Sequence, residues 1–245
     1  MEQPVFVILG AGGGIGSATA RLLAGNGSQL LLAGRSTESL ETVAVATGGI
    51  VRQLDARQPN EVADAVTEAV DRFGRIDGIA NCVGSLLLKP AHLTTDDEFD
   101  ETIATNLRSA FAAVKAGSKA MRASGGSIVL VSSAAAQIGL ANHEAIAAAK
   151  GGIIGLAKAA AASYSRQGIR VNAVAPGLVR TKLTERLTAT PQAETASLAL
   201  HALGRLGEPE DVASAIAWLL DPAQSWVTGQ VIGVDGGLGS VRSRG

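Results

Sequence analysis

The chain has 245 residues, with 21 Lys+Arg against 22 Asp+Glu and a formal charge of −1. That length fills one large α/β domain or two small ones and buries a full core without staples. Near-neutral charge removes the electrostatic footprint of a nucleic-acid or polybasic membrane binder, and 3% aromatic residues leave no stacking platform for bases.

In chain order, the flat apolar run Val5–Leu9 predicts a first strand. Gly10-Ala-Gly-Gly-Gly-Ile-Gly16 follows it and opens a helix over Ile15–Gly25. Glycines at such a crossing let the backbone turn sharply and approach a pyrophosphate, whose charge meets the helix N-terminal N–H groups. Gly10, Gly12, Gly13, Gly14, Ile15 and Gly16 are therefore candidate cofactor contacts. A second strand is predicted over Gln29–Ala33. An NAD binder places an acid near its end for the ribose 2′-hydroxyl, but here the chain reads Leu32-Ala-Gly-Arg-Ser36. The donor fork of Arg35 and the hydroxyl of Ser36 suit a 2′-phosphate, so NADP(H) is expected in preference to NAD(H).

The same alternation continues along the chain. Helices are predicted over Ser36–Thr47, Pro59–Phe73, Asp96–Arg122, Ala145–Arg166 and Glu208–Leu220. Strands are predicted over Ile50–Leu54, Gly78–Asn81, Ser127–Ser132, Arg170–Ala175 and Gln230–Val234. Asp96, Asp97 and Glu98 sit where helix starts favour acids, and Pro209 fits a first turn. Apolar strands alternating with helices predict a doubly wound parallel sheet of about seven strands with helices on both faces. No linker or repeat divides residues 1–245, so one domain is expected.

The single cysteine, Cys82, excludes an internal disulfide and a cysteine-based zinc site, fits a reducing compartment, and reads as a small packing residue. His92 and His201 show no metal-ligand spacing with acids, so no metal is expected. Glu2 and the brief apolar run after it do not make a secretory signal. No stretch reaches the roughly eighteen uninterrupted apolar residues of a membrane span. A soluble cytoplasmic protein acting on a small molecule is expected, without nucleic-acid or membrane partners.

Further motifs fall at fixed places in this pattern. Asp55-Ala56 follows the third strand, Asn81-Cys-Val-Gly84 the fourth, and Thr105-Asn-Leu-Arg108 lies in the long helix. Ser133 follows the fifth strand and Lys150 the start of the next helix. Arg170-Val-Asn-Ala-Val-Ala-Pro-Gly177 leads to Val179 and Thr181, and Thr228-Gly-Gln through Val234-Asp-Gly-Gly237 forms the last strand and its exit. Together these motifs resemble the short-chain dehydrogenase/reductase family over essentially the whole chain. The resemblance implies a nicotinamide-dependent oxidoreductase. It assigns catalytic roles to Asn106, Ser133 and Lys150. Cofactor contacts follow at Asp55, Ala56, Asn81, Val83, Gly84, Lys150, Pro176, Gly177, Val179 and Thr181. The family also assembles through the helices over 102–122 and 145–166. Their small residues Ala104, Ala110, Ala112, Ala113, Ala157, Ala160 and Ala161 allow close helix approach, and a homotetramer or homodimer is expected.

One position departs. The family carries a tyrosine thirteen residues after the serine and four before the lysine, and both counts land on Ile146. Isoleucine has no proton to give to a substrate oxygen. His143, seven residues before Lys150, lies about two helical turns away and is a candidate replacement acid, with an ordinary pKa of about 6.5. It equally fits a solvated histidine at a helix start, and Glu144 either orients it or serves the helix N-terminus. The segments 85–90 and 178–206 are expected to cover the substrate and suggest an apolar body. Arg180, Lys182 and Arg186 either hold an anionic tail or stand in solvent. Three readings remain at this stage: an oxidoreductase with an altered acid, a cofactor-binding protein without catalysis, and an enzyme of another reaction type.

Overall fold

The computed structural model describes residues 3–241; Glu2 lies outside them. Its strands are β1 (Val5–Leu9), β2 (Gln29–Gly34), β3 (Ile50–Gln53), β4 (Gly78–Asn81), β5 (Gly126–Val131), β6 (Ile169–Pro176) and β7 (Val231–Val234). All pair in parallel in one sheet of order β3-β2-β1-β4-β5-β6-β7. The helices are α1 (Gly14–Gly25), α2 (Thr37–Thr47), α3 (Pro59–Phe73), α4 (Asp96–Ile103), α5 (Ser109–Ala120), α6 (Glu144–Tyr164), α7 (Pro191–Ala199) and α8 (Pro209–Leu220). The fold is a single doubly wound α/β domain, as expected, with strand limits shifted by a residue or two.

Both faces of the sheet are buried, which is why the strands read as flat apolar runs. Alternate residues point to opposite sides. Val7, Leu9, Leu31, Ile79, Ile128, Leu130 and Val171 meet residues of α3, α5 and α6, including Val62, Val66, Ala113 and Ile153. Phe6, Ile8, Leu30, Leu32, Val129 and Val174 meet α1, α2 and α8 through Leu23, Leu40, Val43, Ile216 and Leu219. Each fully buried aliphatic side chain contributes about 1.5–3 kcal/mol. The helix from 144 to 167 is long and apolar enough to cross a membrane by composition, yet its apolar face packs on this sheet.

One expectation needs correction. The helix predicted over Asp96–Arg122 is broken: residues Ala104–Arg108 form one π turn between α4 and α5. There the Asn106 amide donates to the Thr102 carbonyl at 2.9 Å and the Ser109 hydroxyl to that of Thr105 at 2.7 Å, so side chains share the acceptors of the widened turn. The segment 178–206, for which no element was predicted, carries a short 3₁₀ turn at Glu185–Thr188 and then α7. Thr190 caps α7 and Pro191 occupies its first turn, a helix start the sequence does contain.

Candidate active site

Two adjoining cavities, of about 770 and 530 Å³, open beyond the carboxyl ends of the strands. Both are lined by Gly12, Gly13, Cys82, Val83 and Gly84, so they form one trough. The trough lies where the strand order reverses between β1 and β4, the place where doubly wound sheets bind ligands.

The β1–α1 turn at its centre is built for close approach. Gly10 has φ +77°, and a Cβ on Gly16 would stand 2.2 Å from the Gly10 carbonyl oxygen. No side chain caps α1, and its first turn holds no acid. Its first N–H groups therefore need an outside acceptor, and a pyrophosphate supplies one with the charge the helix dipole favours. The residues present fit a dinucleotide.

The smaller cavity is lined by Gly10, Gly34, Arg35, Ser36, Asp55, Ala56 and Arg57 among others. Arg35 is exposed there. Ser36 caps α2, its oxygen accepting the N–H of Ser39 at 3.3 Å and sharing a hydrogen bond with the Ser39 hydroxyl at 3.0 Å. Arg57 holds the Asp55 carboxylate through Nε at 2.8 and 3.0 Å and reaches Glu101 through Nη1 at 2.7 Å. That guanidinium keeps Asp55 below the usual carboxylate range. Sequence reasoning missed Arg57. The signal was present as a basic residue two places after an acid at a strand end.

The larger cavity gathers Ser133, His143, Ile146, Lys150, Pro176, Gly177, Val179 and Thr181. The Ser133 oxygen accepts the N–H of Ala135 at 3.1 Å, so its proton is available to a ligand. Lys150 is 7% exposed; its Nζ donates to the Val131 carbonyl at 2.8 Å, and Ser132 donates to the Lys150 carbonyl at 2.9 Å. These two bonds fasten α6 to the end of β5. Burial lowers the lysine to about 8. Burial also pushes the Cys82 thiol up to about 12, although part of that residue faces the cavities. Ile146 is 3% exposed on the cavity wall, one turn before Lys150. His143 stands at the start of α6 with Nδ1 2.7 Å from the Ala141 carbonyl oxygen. A carbonyl only accepts, so Nδ1 carries hydrogen and Nε2 is the atom left to exchange a proton.

Asn81 and Asn106 lie behind the trough rather than in it. Asn81 is 2% exposed and accepts the N–H of Val83 at 3.2 Å, shaping the loop after β4. Asn106 is fully buried; it accepts the N–H of Ser85 and donates to that residue's hydroxyl. The basic residues near α7 separate as well. Arg180 pairs with Glu194 at 2.6 Å and Glu208 at 3.5 Å, away from the larger cavity, whereas Lys182 lines it and Arg186 is exposed outside it. Among the described residues no cluster of His, Cys, Asp and Glu forms a metal site.

The family described as enoyl-(acyl carrier protein) reductase matches residues 10–239. The chain belongs to the short-chain dehydrogenase/reductase family. A 3-oxoacyl-acyl-carrier-protein reductase of Thermotoga maritima is 36% identical over 97% of this chain and 98% of its own. Levodione reductase of Leifsonia aquatica is 35% identical over 95% of this chain and 93% of its own. Among solved structures, the crystal structure of a levodione reductase superposes with TM-score 0.93 at 32% identity, covering 99% of this chain and all of that one. Membership makes this chain an oxidoreductase, and the trough just described is the region in which its substrate and cofactor are to be sought.

Proposed function

We propose that the chain is an NADP(H)-preferring oxidoreductase, able to accept NAD(H), that acts on a small carbonyl or alcohol, imine or activated alkene through a non-standard proton donor. The observation that carries this reading is the composition of the larger cavity's wall: Ile146 occupies the position four before Lys150, and His143 lines the same space one turn earlier. The dinucleotide, when bound, supplies or receives the hydride at its nicotinamide ring. A further solved relative, ElxO with NADP bound, is similar to this chain at TM-score 0.90 and 28% identity over 96% of this chain and 98% of that one.

The roles of the chain's residues follow from their chemistry. Ser133 donates its hydroxyl proton to the substrate oxygen. Lys150, anchored on Val131, keeps a positive charge beneath the site and holds the ribose. Asn106 supports the loop carrying Ser85. His143 gives the proton from Nε2 that a tyrosine gives elsewhere in the family. Asp55 and Ala56 flank the adenine. Gly177, Val179 and Thr181 border the nicotinamide side. Aliphatic residues of 178–206 cover an apolar substrate body.

The test is NADPH consumption over a panel of ketones, imines and enones. General acid catalysis is worth about 10²–10⁴-fold, so wild-type reduction of simple ketones should fall short of family rates by that order. Ile146→Tyr should raise it, and His143→Ala should lower whatever native turnover exists. Wild-type ketone reduction at ordinary rates, untouched by His143→Ala, would overturn the histidine. Binding of NADPH with no turnover on any class would instead favour a cofactor-binding protein without catalysis, the reading to which Ile146 also lends support.

A further inference from the structure

His201 takes no part in the chemistry above, yet both of its ring nitrogens are engaged. It is 4% exposed, just beyond α7, and borders the larger cavity. Nδ1 lies 2.8 Å from the carbonyl oxygen of Ser197, and Nε2 accepts the N–H of Leu178 at 3.1 Å. A backbone carbonyl only accepts and a backbone amide only donates, so this pairing requires the neutral ring with its hydrogen on Nδ1. A second ring proton would set one N–H against another at Leu178. The ring is also tightly enclosed. A Cβ on Gly177 would meet Nε2 at 2.7 Å, and one on Gly236 would meet the His201 Cβ at 3.4 Å.

These contacts join the chain leaving β6, at Leu178, to the far end of the segment that roofs the cavity, at Ser197. Between them lie Leu183, Leu187, Ala193 and Ala196, all facing that cavity. The same stretch is also fastened by backbone bonds from the Gly207 N–H to the Leu178 carbonyl at 2.9 Å, from the Arg180 N–H to the Gly207 carbonyl at 2.8 Å and from the Leu203 N–H to the Gly236 carbonyl at 3.0 Å. The ion pair of Arg180 with Glu194, whose side chains are 44% and 37% exposed, contributes little. The ring is the buried side chain that ties α7, at Ser197, directly to Leu178.

We propose that His201 is a positioning residue that docks the roof of the larger cavity through its neutral imidazole, and that uptake of a proton on Nε2 releases the roof. The proposal rests on the reading of that cavity as the substrate site. Several charged groups surround the ring. Asp235 lies against Gly177 but commits its carboxylate to the N–H groups of Gly237 and Gly239. Arg205 and Asp211, which border the smaller hollow behind His201, pair with each other at 2.6 and 2.8 Å. Across the larger cavity stand Lys182, His143 and Lys150. None of the hydrogen bonds described gives the protonated ring an acceptor for Nε2.

Hydrogen exchange on the whole apoprotein tests this without a substrate. The Leu178 amide and those of residues 192–201 are followed at about pH 7.5 and about pH 5.5, on either side of the usual imidazole range. Rates are corrected for intrinsic pH dependence, with β1 and β4 amides as the internal reference. Protection of the roof should be about tenfold lower at the acid value than at the neutral one, while the reference holds. His201→Gln keeps a carbonyl acceptor near the Nε2 position without titrating, so its roof protection should stay flat with pH. His201→Leu should lose protection at both values. Once a substrate is found, KM in the wild type should rise in acid more than kcat falls, and the glutamine variant should suppress that rise. Equal wild-type protection at the two pH values overturns the proposal, as does a glutamine variant that follows the wild type or a leucine variant that keeps full protection. If protection behaves as stated while no carbonyl, imine or enone is reduced, the docking role stands and the reading of the site's chemistry falls.

Discussion

The trough's two ends depend on single residues whose neighbours fix what they can do. At one end, the exposed Arg35 faces the cavity in which Asp55 is already committed to Arg57. Asp55 therefore cannot turn to neutralise a 2′-phosphate contact made by Arg35, and the cavity keeps a cation free for that group. Arg35→Ala should weaken NADPH binding by about tenfold to a hundredfold and leave NADH binding nearly unchanged, because a charge-assisted bond is worth about 1.5–3 kcal/mol. Calorimetric titration of both cofactors into both proteins checks it; an unchanged preference would shift the phosphate contact to another group. At this scale Gly10, Arg35, Ser133, His143, Ile146 and Lys150 are all legible from the sequence, since each stands at a strand end or a fixed helical spacing. Arg57 is legible only as a base two places after Asp55, since its bond to Glu101 joins residues distant in sequence. His201 is not legible, because its partner Leu178 is distant in sequence and no period links the two.

Among the elements, helices with strong local signals match the sequence reading and those that depend on tertiary contacts do not. Acids at its N-terminus and a capping box start α4 where expected. Apolar periodicity alone, however, does not reveal a π turn created by the buried amide of Asn106. α7 was hidden for a different reason: no residue of α7 is buried, so it has no apolar stripe to read. The assembly expectation changes at this scale too. Ala104, Ala110, Ala112, Ala113, Ala157, Ala160 and Ala161 are all buried within the chain, where they let α5 and α6 approach the sheet. They are not an outward stripe. What α5 presents outward is Phe111, Lys115 and Lys119, next to Arg108 of the π turn, with Phe111 55% exposed, while Gly155, Ala159 and Ala162 are exposed on α6. We propose that a second copy covers this outer face, with Phe111 meeting the small residues of its partner. Light scattering at micromolar concentration should then return a multiple of 24.7 kDa for the wild type and a smaller species for Phe111→Glu. A wild-type monomer would remove the basis for the interface.

For the molecule as a whole, the buried lysine sets a conflict between site and stability. Lys150 is lowered from 10.5 to about 8 by burial, so the folded protein gives up this proton before the unfolded chain does. Holding the charged form therefore costs the folded state about 3 kcal/mol near neutral pH. Between pH 8 and 10.5 the unfolded chain binds more protons than the folded one, and stability rises with pH across that window. Cys82 acts in the opposite sense. Its thiol is raised from 9.0 to about 12, so above pH 9 the unfolded thiol ionises first and stability is lost. The two effects separate cleanly only between pH 8 and 9, where Lys150 alone should add about 1 kcal/mol. Urea denaturation of the apoprotein at those two pH values should show that gain in the wild type. Lys150→Met, which keeps the length of the side chain without its charge, should be more stable at pH 7 and show no such gain. Cys82→Ala should let the wild-type rise continue beyond pH 9. An identical pH slope in the wild type and Lys150→Met would mean that Lys150 keeps its ordinary affinity for a proton, with cavity water hydrating an ammonium that the fold otherwise seals against Val131.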